Sequence, residues 1–185
     1  MMKNMIVIDT ETTGLSPYND EMLQVSCIDG SGNVLLNTYL HPVRHTSWPD
    51  AQRVNHISSD MVASAPTYEE IMPKVQKLFD DADAVIGYNV GFDLGFLRAA
   101  GLIIPENMSV IDVMLDFAEI YGEWNDYFGD YKWQTLVTCA QYYKYEASYI
   151  DGGAHDSLAD VRATLYCYQK MHPELEQSAD QSSDT

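Results

Sequence analysis

The sequence predicts one α/β domain built on a mixed β-sheet that is flanked by helices. Three apolar segments near the N-terminus are separated by short polar stretches, which predicts an antiparallel, three-stranded start. Later segments alternate between short apolar runs and helical periodicity, which predicts parallel strands joined by crossover helices. With 185 residues, of which 46% are hydrophobic, the chain is long enough to form one substantial core.

The first three strands are predicted from apolar runs and one turn. Residues 5–8, "MIVI", are consecutive apolar residues, which is typical of a strand buried on both faces. The next strands are "MLQVSCID" over 22–29 and "VLLNTYL" over 34–40. Between them, residues 30–33 read Gly-Ser-Gly-Asn, a composition that favours a hairpin turn.

The rest of the chain is predicted from breakers, caps and periodicity. Residues 41–50 contain two prolines and no periodicity, which predicts a loop, and a short helical turn is predicted within 55–62. Thr67 and Glu70 stand at capping-box spacing at the start of a helical pattern. The later segments predict a strand over 83–89, a helix over 91–101, a strand over 108–112, a helix over 113–122, a loop over 123–131, and helices near 133–143 and 156–171.

Composition sets limits on the compartment and on the extent of the domain. The N-terminus lacks the apolar region of a signal peptide, and no apolar run approaches the roughly 18 residues of a membrane helix, so a cytoplasmic protein without membrane contact is predicted. Cys27, Cys139 and Cys167 lie far apart among apolar or helical neighbours, which predicts buried thiols. Residues 172–185 have little apolar content and no basic residue, so an acidic disordered tail is predicted after a domain of residues 1–171.

The net charge argues against one mode of nucleic-acid binding. The chain has 28 acidic residues against 10 Lys plus Arg, which gives a net charge of −18. A protein that holds long DNA electrostatically usually carries the opposite sign. Any nucleic-acid contact is therefore expected to be short, local and centred on a strand end, or to be helped by a partner protein.

Two acids interrupt the first apolar run. Asp9 and Glu11 are followed by the turn residues Thr-Thr-Gly, so both acids are predicted at a strand end. Side chains alternate along a strand, so the two carboxylates are expected on one face, with Thr10 on the other. Like charges held that close repel unless a cation lies between them, and oxygen-only ligands suit Mg²⁺ or Mn²⁺. The alternative is a merely solvated strand end.

A further acid lies within "GYNVGFDLGFL". Asn89 and Asp93 are four residues apart, which places them on one helical face if the helix has begun. A carboxylate in so apolar a segment is costly unless it is paired, so Asp93 is predicted to meet a cation. Phe92 and Phe96 form a second pair of the same spacing, for which simple core packing is the favoured interpretation.

The last cluster is "GGAHDSLADVRAT". His155 and Asp160 are five residues apart, and on an ideal helix this spacing means a rotation of about 140°, so both cannot point into one site if both are helical. The preceding glycine pair, residues 152–153, predicts that His155 lies on a loop and that the helix is capped near Asp156 or Ser157. A lone histidine is more often structural or exposed, and this reading is the alternative.

These three segments together resemble the DEDDh 3′→5′ exonucleases of the ribonuclease H-like superfamily, typified by bacterial proofreading epsilon subunits. "VIDTETTGL", "NVGFDLGFL" and "HDSLADVRAT" are similar to the three family motifs and occur in family order. "VNHISSDMV" resembles the segment in which His56 lies near substrate, and "KWQTL" from Lys132 resembles the helix start before the third motif. Tyr88 departs from the histidine that many members carry before Asn89.

The resemblance implies release of nucleoside 5′-monophosphates from the 3′ ends of single-stranded DNA, or alternatively of RNA, by a nuclease that sometimes works beside a DNA polymerase. It implies two Mg²⁺ or Mn²⁺ ions held by four carboxylates and a histidine that acts as general base. The implied metal ligands are Asp9, Glu11, Asp93 and Asp160, and the implied general base is His155. The implied substrate-binding residues are Thr12, Thr13, Gly14, Leu15, His56, Asn89, Phe92 and Phe96.

Two rival interpretations belong to other functional classes. "VIDTETT" also resembles the nucleophile loop of aspartate-dependent phosphohydrolases, in which Asp9 would be phosphorylated. That loop normally has a second aspartate where Glu11 stands, and this interpretation leaves His155 without a role. The other rival is a non-catalytic nucleic-acid-binding module, against which the presence of all four acids and the histidine argues.

Overall fold

The structure is a computed structural model that describes residues 4–146, 148–149 and 155–173. The glycine pair at 152–153 and the predicted tail from residue 174 onward lie outside the described residues. In the described part of the chain, no helix is long and apolar enough to cross a membrane. The last helix ends at Met171, and the ring of His172 still packs on Tyr168, with centroids 4.6 Å apart.

The predicted mixed sheet is confirmed. Within the described residues five strands form one sheet in the order β3-β2-β1-β4-β5. The first three strands are antiparallel neighbours, and β4 and β5 add in parallel to β1. The strands are β1 (Met5–Thr12), β2 (Met22–Asp29), β3 (Val34–Tyr39), β4 (Ala84–Gly87) and β5 (Ser109–Asp112).

Helices flank the sheet at most of the predicted positions. They are α1 (Pro49–Asn55), α2 (Ser59–Val62), α3 (Tyr68–Asp80), α4 (Val90–Ala99), α5 (Val113–Tyr121), α6 (Leu136–Tyr142) and α7 (Ser157–Met171). The predicted capping box is confirmed, because the backbone N–H of Thr67 donates to Glu70 Oε2 over 2.7 Å.

Two predicted loops contain more structure than the sequence analysis assigned. The loop prediction over 41–50 is wrong at its end, because Pro49 opens α1, where a missing N–H is harmless at the first turn of a helix. The predicted loop over 123–131 contains a short hairpin, β6 (Trp124–Asn125) with β7 (Asp130–Tyr131). Its turn is closed by a hydrogen bond from the Gly129 N–H to the Asn125 carbonyl, 2.9 Å long.

The two faces of β1 pack against different helices. Ile6 and Ile8 join the apolar cluster formed with α3 and α4, whereas Val7 joins the cluster formed with α5, α6 and α7. All three side chains are buried, as predicted for a strand covered on both faces. The three cysteines are buried free thiols, as predicted.

The sheet leaves one edge of β1 open. β4 pairs with β1 only along Met5–Val7, whereas β2 accompanies β1 as far as Thr12. Beyond Val7, the side of β1 that faces β4 therefore has no strand partner. This open corner lies where β1 carries its two acids, between the helices on the two faces of the sheet.

Candidate active site and metal centre

Asp9 and Glu11 project from β1 toward the face covered by α7, with Thr10 on the other face. In the ladder with β2, Asp9 stands opposite Ser26 and Glu11 opposite Gln24. The predicted alternation is confirmed, and both acids lie in the C-terminal half of β1, which continues through them and ends at Thr12. The two carboxylates are therefore fixed by a paired strand rather than by a turn.

Asp93 approaches the same corner from α4. Its Oδ1 accepts hydrogen bonds from the backbone N–H and the hydroxyl of Thr10, 2.8 Å and 2.7 Å long. The carboxylate thus satisfies a backbone donor of β1 at a level where β4 no longer pairs. Asp93 is buried, with 2% of its surface exposed, so these bonds hold it firmly against the sheet.

Asp160 comes from the opposite face, on the first turn of α7. The hydroxyl of Tyr149 donates to its Oδ1 over 2.7 Å, and the backbone N–H of His155 lies 3.3 Å from each of its oxygens. Asp156 caps the helix by accepting a hydrogen bond from the Ala159 N–H, 3.1 Å long. The prediction of a cap near Asp156 and of His155 ahead of the helix is confirmed.

His155 is exposed beside the acids. One ligand atom each of Glu11, His155 and Asp160 lie within 4.8 Å of one another, a spacing that could hold a metal ion. Among the described residues four non-glycine residues have positive φ, and three of them, His56, Asn89 and His155, are predicted site residues. Positive φ is uncommon for residues other than glycine, although asparagine and histidine adopt it more readily than most, and it is concentrated at functional sites.

Burial and mutual repulsion raise the pKa values of the clustered acids. Burial is the main cause for Glu11, whose pKa rises to about 8, with repulsion from Asp160 next. Burial also raises the pKa of Asp93 to about 7, although the hydrogen bonds from Thr10 oppose the rise. The pKa of Asp9 is well above its ordinary value, through burial and then repulsion from Asp93 and Asp160.

Asp160 behaves in the same way. Burial raises its pKa, while the hydrogen bond from Tyr149 and the charge of His155 work against that rise. Each of the four acids therefore resists carrying its charge alone. Oxygen donors crowded in this way suit a hard divalent cation, whose charge would relieve both the burial and the repulsion.

Several residues that the sequence analysis did not single out position the acids. The hydroxyls of Ser26 and Ser157 are 2.7 Å apart, and Gln24 donates to Asp156 over 3.3 Å, so β2 fixes the N-terminus of α7. Tyr149 supports Asp160 directly. The sequence signal for this contact is that the polar residues Gln24 and Ser26 interrupt an otherwise apolar strand. Both are buried in the structure, where a polar side chain needs a hydrogen-bond partner.

Asn55 is a further supporting residue that was missed. It is buried, donates to the backbone carbonyl of Thr12 over 3.2 Å, and forms a hydrogen bond with Glu11 that lowers the pKa of that acid. Its neighbour His56, a predicted substrate contact, is exposed at the C-terminus of α1. The segment that carries both residues therefore borders the acids.

The turn after β1 presents one apolar side chain and buries two polar ones. The side chains of Thr12 and Thr13 are buried, whereas Leu15 is 85% exposed. Gly14 makes room for Asp20, because a Cβ there would lie 2.5 Å from that carboxylate. Asp20 in turn accepts a hydrogen bond from the Ser16 N–H, 2.9 Å long, so the turn that carries Leu15 is braced from within.

The two phenylalanines of α4 occupy different environments. Phe96 is only 2% exposed and belongs to the core, so its predicted substrate contact is wrong for this structure and the core-packing interpretation holds. Phe92 is half-buried, with its ring 5.0 Å from that of Phe96. Asn89 is exposed at the N-terminus of α4, and its N–H donates to Asp112 over 2.9 Å.

Comparison with known proteins identifies relatives that match this chain over most of their length and relatives that match it over a small part. A statistical model of the exonuclease family, RNase_T, matches residues 6–168. The uncharacterized exonuclease CP81 of Escherichia phage 186 is 36% identical over 170 residues, which cover 86% of this chain and 84% of that protein. A DNA polymerase III subunit epsilon-like protein of Rhodobacter capsulatus is 30% identical, and the match covers 92% of this chain but 24% of that protein.

Solved structures share the fold at lower identity. Escherichia coli exonuclease I in complex with a dA16 oligonucleotide superposes with a TM-score of 0.72 at 21% identity, over 93% of this chain and 42% of that one. Exonuclease X in complex with 5′ overhanging duplex DNA gives a TM-score of 0.66 at 20% identity, over 92% of each chain. Because the family model covers most of the chain, the chain belongs to the RNase_T exonuclease family, and it is a nuclease.

Proposed function

We propose that this chain is a 3′→5′ exonuclease that releases nucleoside 5′-monophosphates from single-stranded DNA by phosphodiester hydrolysis assisted by two divalent ions. The observation that carries the proposal is the convergence of Asp9, Glu11, Asp93 and Asp160 from three different elements at the open corner of the sheet. Neither the phosphoaspartate interpretation nor a binding module requires four carboxylates around one position, of which Asp93 and Asp160 are buried and the other two half-buried.

The residues of the corner fit a pair of hard cations. The four carboxylates would hold Mg²⁺ or Mn²⁺, since they supply only oxygen donors and resist being charged without a cation. Two such ions in one site supply activation of water and stabilisation of charge on the attacked phosphate. The Thr10 bonds to Asp93 and the Tyr149 bond to Asp160 preset the positions of the ligands.

His155 takes the proton of the attacking water in this proposal. The imidazole is exposed and lies ahead of α7, so it reaches the cluster from the solvent side. A positioned general base of this kind typically contributes about 10²–10⁴-fold to the rate. Its spacing from Glu11 and Asp160 also permits direct coordination of a metal ion, and the two roles are separated by a variant described below.

The terminal nucleotide binds along the turn after β1 and beside α4. The backbone of residues 12–14 and the exposed Leu15 meet the last nucleotide, and His56, Asn89 and the half-buried Phe92 offer further contacts. Apolar contact and stacking do not distinguish the bases, which suits an enzyme that degrades any sequence. Phe96 takes no direct part because it is buried.

We favour DNA over RNA as the substrate because the names or bound ligands of several similar proteins refer to DNA. Exonuclease I and exonuclease X were solved with DNA oligonucleotides, and two relatives are named for DNA polymerase III. The match spans only 24% and 12% of those two polymerase-related proteins, so a polymerase partner for this chain is part of the proposal. The alternative substrate is RNA.

A ladder experiment tests polarity, substrate and metal dependence together. Matched single-stranded DNA and RNA oligonucleotides labelled at the 5′ end are incubated with Mg²⁺, with Mn²⁺ or with a chelator. The proposal expects a ladder that shortens from the 3′ end on DNA and only with metal. A ladder on RNA alone would transfer the proposal to the alternative substrate, and undiminished cleavage in excess chelator would refute the metal mechanism.

A further inference from the structure

An exposed aromatic hairpin lies between α5 and α6. It comprises residues 124–133 and is called the aromatic hairpin below. Tyr127 and Phe128 at its turn are 88% and 75% exposed, and Trp124 and Trp133 at its base are 50% and 65% exposed. Among the residues that the structure describes, every exposed tryptophan or phenylalanine belongs to this hairpin. Such a concentration of ring surface in ten residues calls for a binding partner.

The hairpin holds its rings in a fixed arrangement. Asn125 Oδ1 accepts hydrogen bonds from the N–H groups of Tyr127 and Phe128, 3.0 Å and 3.4 Å long. Gly129 adopts the left-handed conformation that the turn requires, with a φ of 65°. The rings of Tyr127 and Phe128 meet edge to face, 4.9 Å between centroids, so their outer faces remain open.

The base of the hairpin is hydrogen-bonded to the segment that leads into α4. Lys132 and Glu123 close the base through a backbone hydrogen bond of 2.7 Å and a side-chain ion pair of 2.6 Å. Two residues further on, the carbonyl of Gln134 accepts a hydrogen bond from the Tyr88 hydroxyl, 2.9 Å long. Tyr88 directly precedes Asn89, which begins the helix that carries Asp93.

The hairpin offers little positive charge for binding phosphates. Lys132 is the one basic residue in the stretch 123–133, it is paired with Glu123, and the stretch also contains Asp126 and Asp130. The whole chain has a net charge of −18, so affinity for a nucleic acid must come from contacts that do not depend on positive charge. Stacking of bases on aromatic rings is such a contact, and it tolerates any base.

We infer that the aromatic hairpin stacks unpaired bases of the same strand whose 3′ end occupies the candidate site. This inference rests on the proposed function and extends it, because it assigns a second contact upstream of the scissile nucleotide. The hydrogen bond from Tyr88 anchors the base of the hairpin next to α4, the helix that carries Asp93, and this proximity favours bases over a protein partner. The hairpin therefore selects single-stranded substrates that are long enough to reach both places.

The test compares substrates that reach the hairpin with one that does not. The double variant Tyr127→Ser with Phe128→Ser removes the two turn rings, whose side chains make no hydrogen bond among those of the described residues. Ile103→Ser is the matched control, because Ile103 is 75% exposed and lies away from the hairpin. The probes are the p-nitrophenyl ester of thymidine 5′-monophosphate, a single-stranded DNA of about 12 nucleotides, and the same DNA with abasic upstream positions.

The double variant is expected to lower kcat/KM on the intact DNA by about 10- to 100-fold, mainly through KM, as the loss of base stacking predicts. It should match wild type on the ester and on the abasic DNA, and Ile103→Ser should match wild type throughout. Wild-type behaviour of the double variant on the intact DNA would overturn the inference and leave the hairpin to a different partner, such as a protein.

A binding measurement decides the case in which wild type hydrolyses none of the probes. The chain has three tryptophans, of which Trp48 is buried while Trp124 and Trp133 are exposed, so intrinsic fluorescence reports on the hairpin. In that case, quenching by intact DNA but not by abasic DNA would support base stacking on the hairpin and refute only the proposed hydrolysis. Absence of quenching by the intact DNA would overturn the stacking surface itself.

Discussion

Asp93 and Asp160 reach the same corner from opposite faces of the sheet, and they are held in different ways. Asp93 is fixed by both the backbone N–H and the hydroxyl of Thr10, within a paired strand. Asp160 is held by Tyr149 and by the backbone of His155, which stand on either side of residues 150–154 in the sequence. The carboxylate of Asp93 is thus held by a strand of the sheet, whereas that of Asp160 is held by two residues outside the sheet.

This difference locates the part of the site that is most open to perturbation. A change on the Asp93 side disturbs the ladder of β1 and the core beneath it. A change on the Asp160 side alters contacts from a segment outside the sheet, so it should affect turnover more than folding. Substitutions that remove support from Asp93 and from Asp160 should therefore differ in their effect on turnover.

Among the variants that keep all four carboxylates, the largest effect on turnover is expected for His155→Ala. Turnover of a short single-stranded oligonucleotide should fall by roughly 10²–10⁴-fold, because a positioned general base is lost. Affinity for Mn²⁺ should remain, since the four carboxylates are untouched. Single-turnover cleavage and calorimetric titration measure the two halves of this prediction. Wild-type turnover would make the histidine structural, and lost Mn²⁺ affinity would make it a metal ligand.

A smaller effect is expected when the two supports are compared. Tyr149→Phe removes the hydroxyl that donates to Asp160, and Thr10→Val removes one of two donors to Asp93. A hydrogen bond to a charged group contributes about 1.5–3 kcal/mol, so kcat should fall by roughly 10- to 100-fold in Tyr149→Phe. Thr10→Val should lose much less, because its backbone N–H still donates. Equal losses in the two variants would remove the proposed asymmetry.

The smallest effect concerns stability and pH. Glu11 has an ordinary pKa of 4.5 and a folded-state pKa of about 8, so between these values the folded chain holds more protons than the unfolded one. The free energy of unfolding should therefore decrease as the pH rises through this window. In the presence of a chelator, Tm is therefore expected to be lower at about pH 8 than at about pH 6. Glu11→Gln should flatten the slope, and a slope of the opposite sign would contradict the burial of these acids.

Much of the fold and of the acid set could be predicted because it depends on local pattern. Alternation along β1 placed Asp9 and Glu11 on one face, and the limit on helical rotation placed His155 ahead of α7. Both results follow from the geometry of single elements. The mixed sheet, with an antiparallel start and later parallel strands, followed from the hairpin turn and from the alternation of strands and helices, whereas the order of the strands was not predicted.

The remainder depends on contacts between distant segments. The support of Asp160 by Tyr149 and of Glu11 by Asn55 arises only when the chain has folded. The spacing of Phe92 and Phe96 did not reveal which ring is buried, because that depends on α3 and the sheet around them. The pattern of residues 41–50 does not reveal the start of α1 at Pro49, because proline is common in loops and is also favoured in the first turn of a helix.

Calorimetric titration of Mn²⁺ into wild type and Asp9→Ala tests the central claim most directly. The account predicts about two ions per wild-type chain, with binding that releases protons near neutral pH because the carboxylates must ionise to bind metal. Asp9→Ala should bind Mn²⁺ more weakly and lose hydrolysis. Identical Mn²⁺ binding by wild type and Asp9→Ala, or hydrolysis that persists in that variant, would contradict the claim that the four carboxylates form the catalytic metal centre.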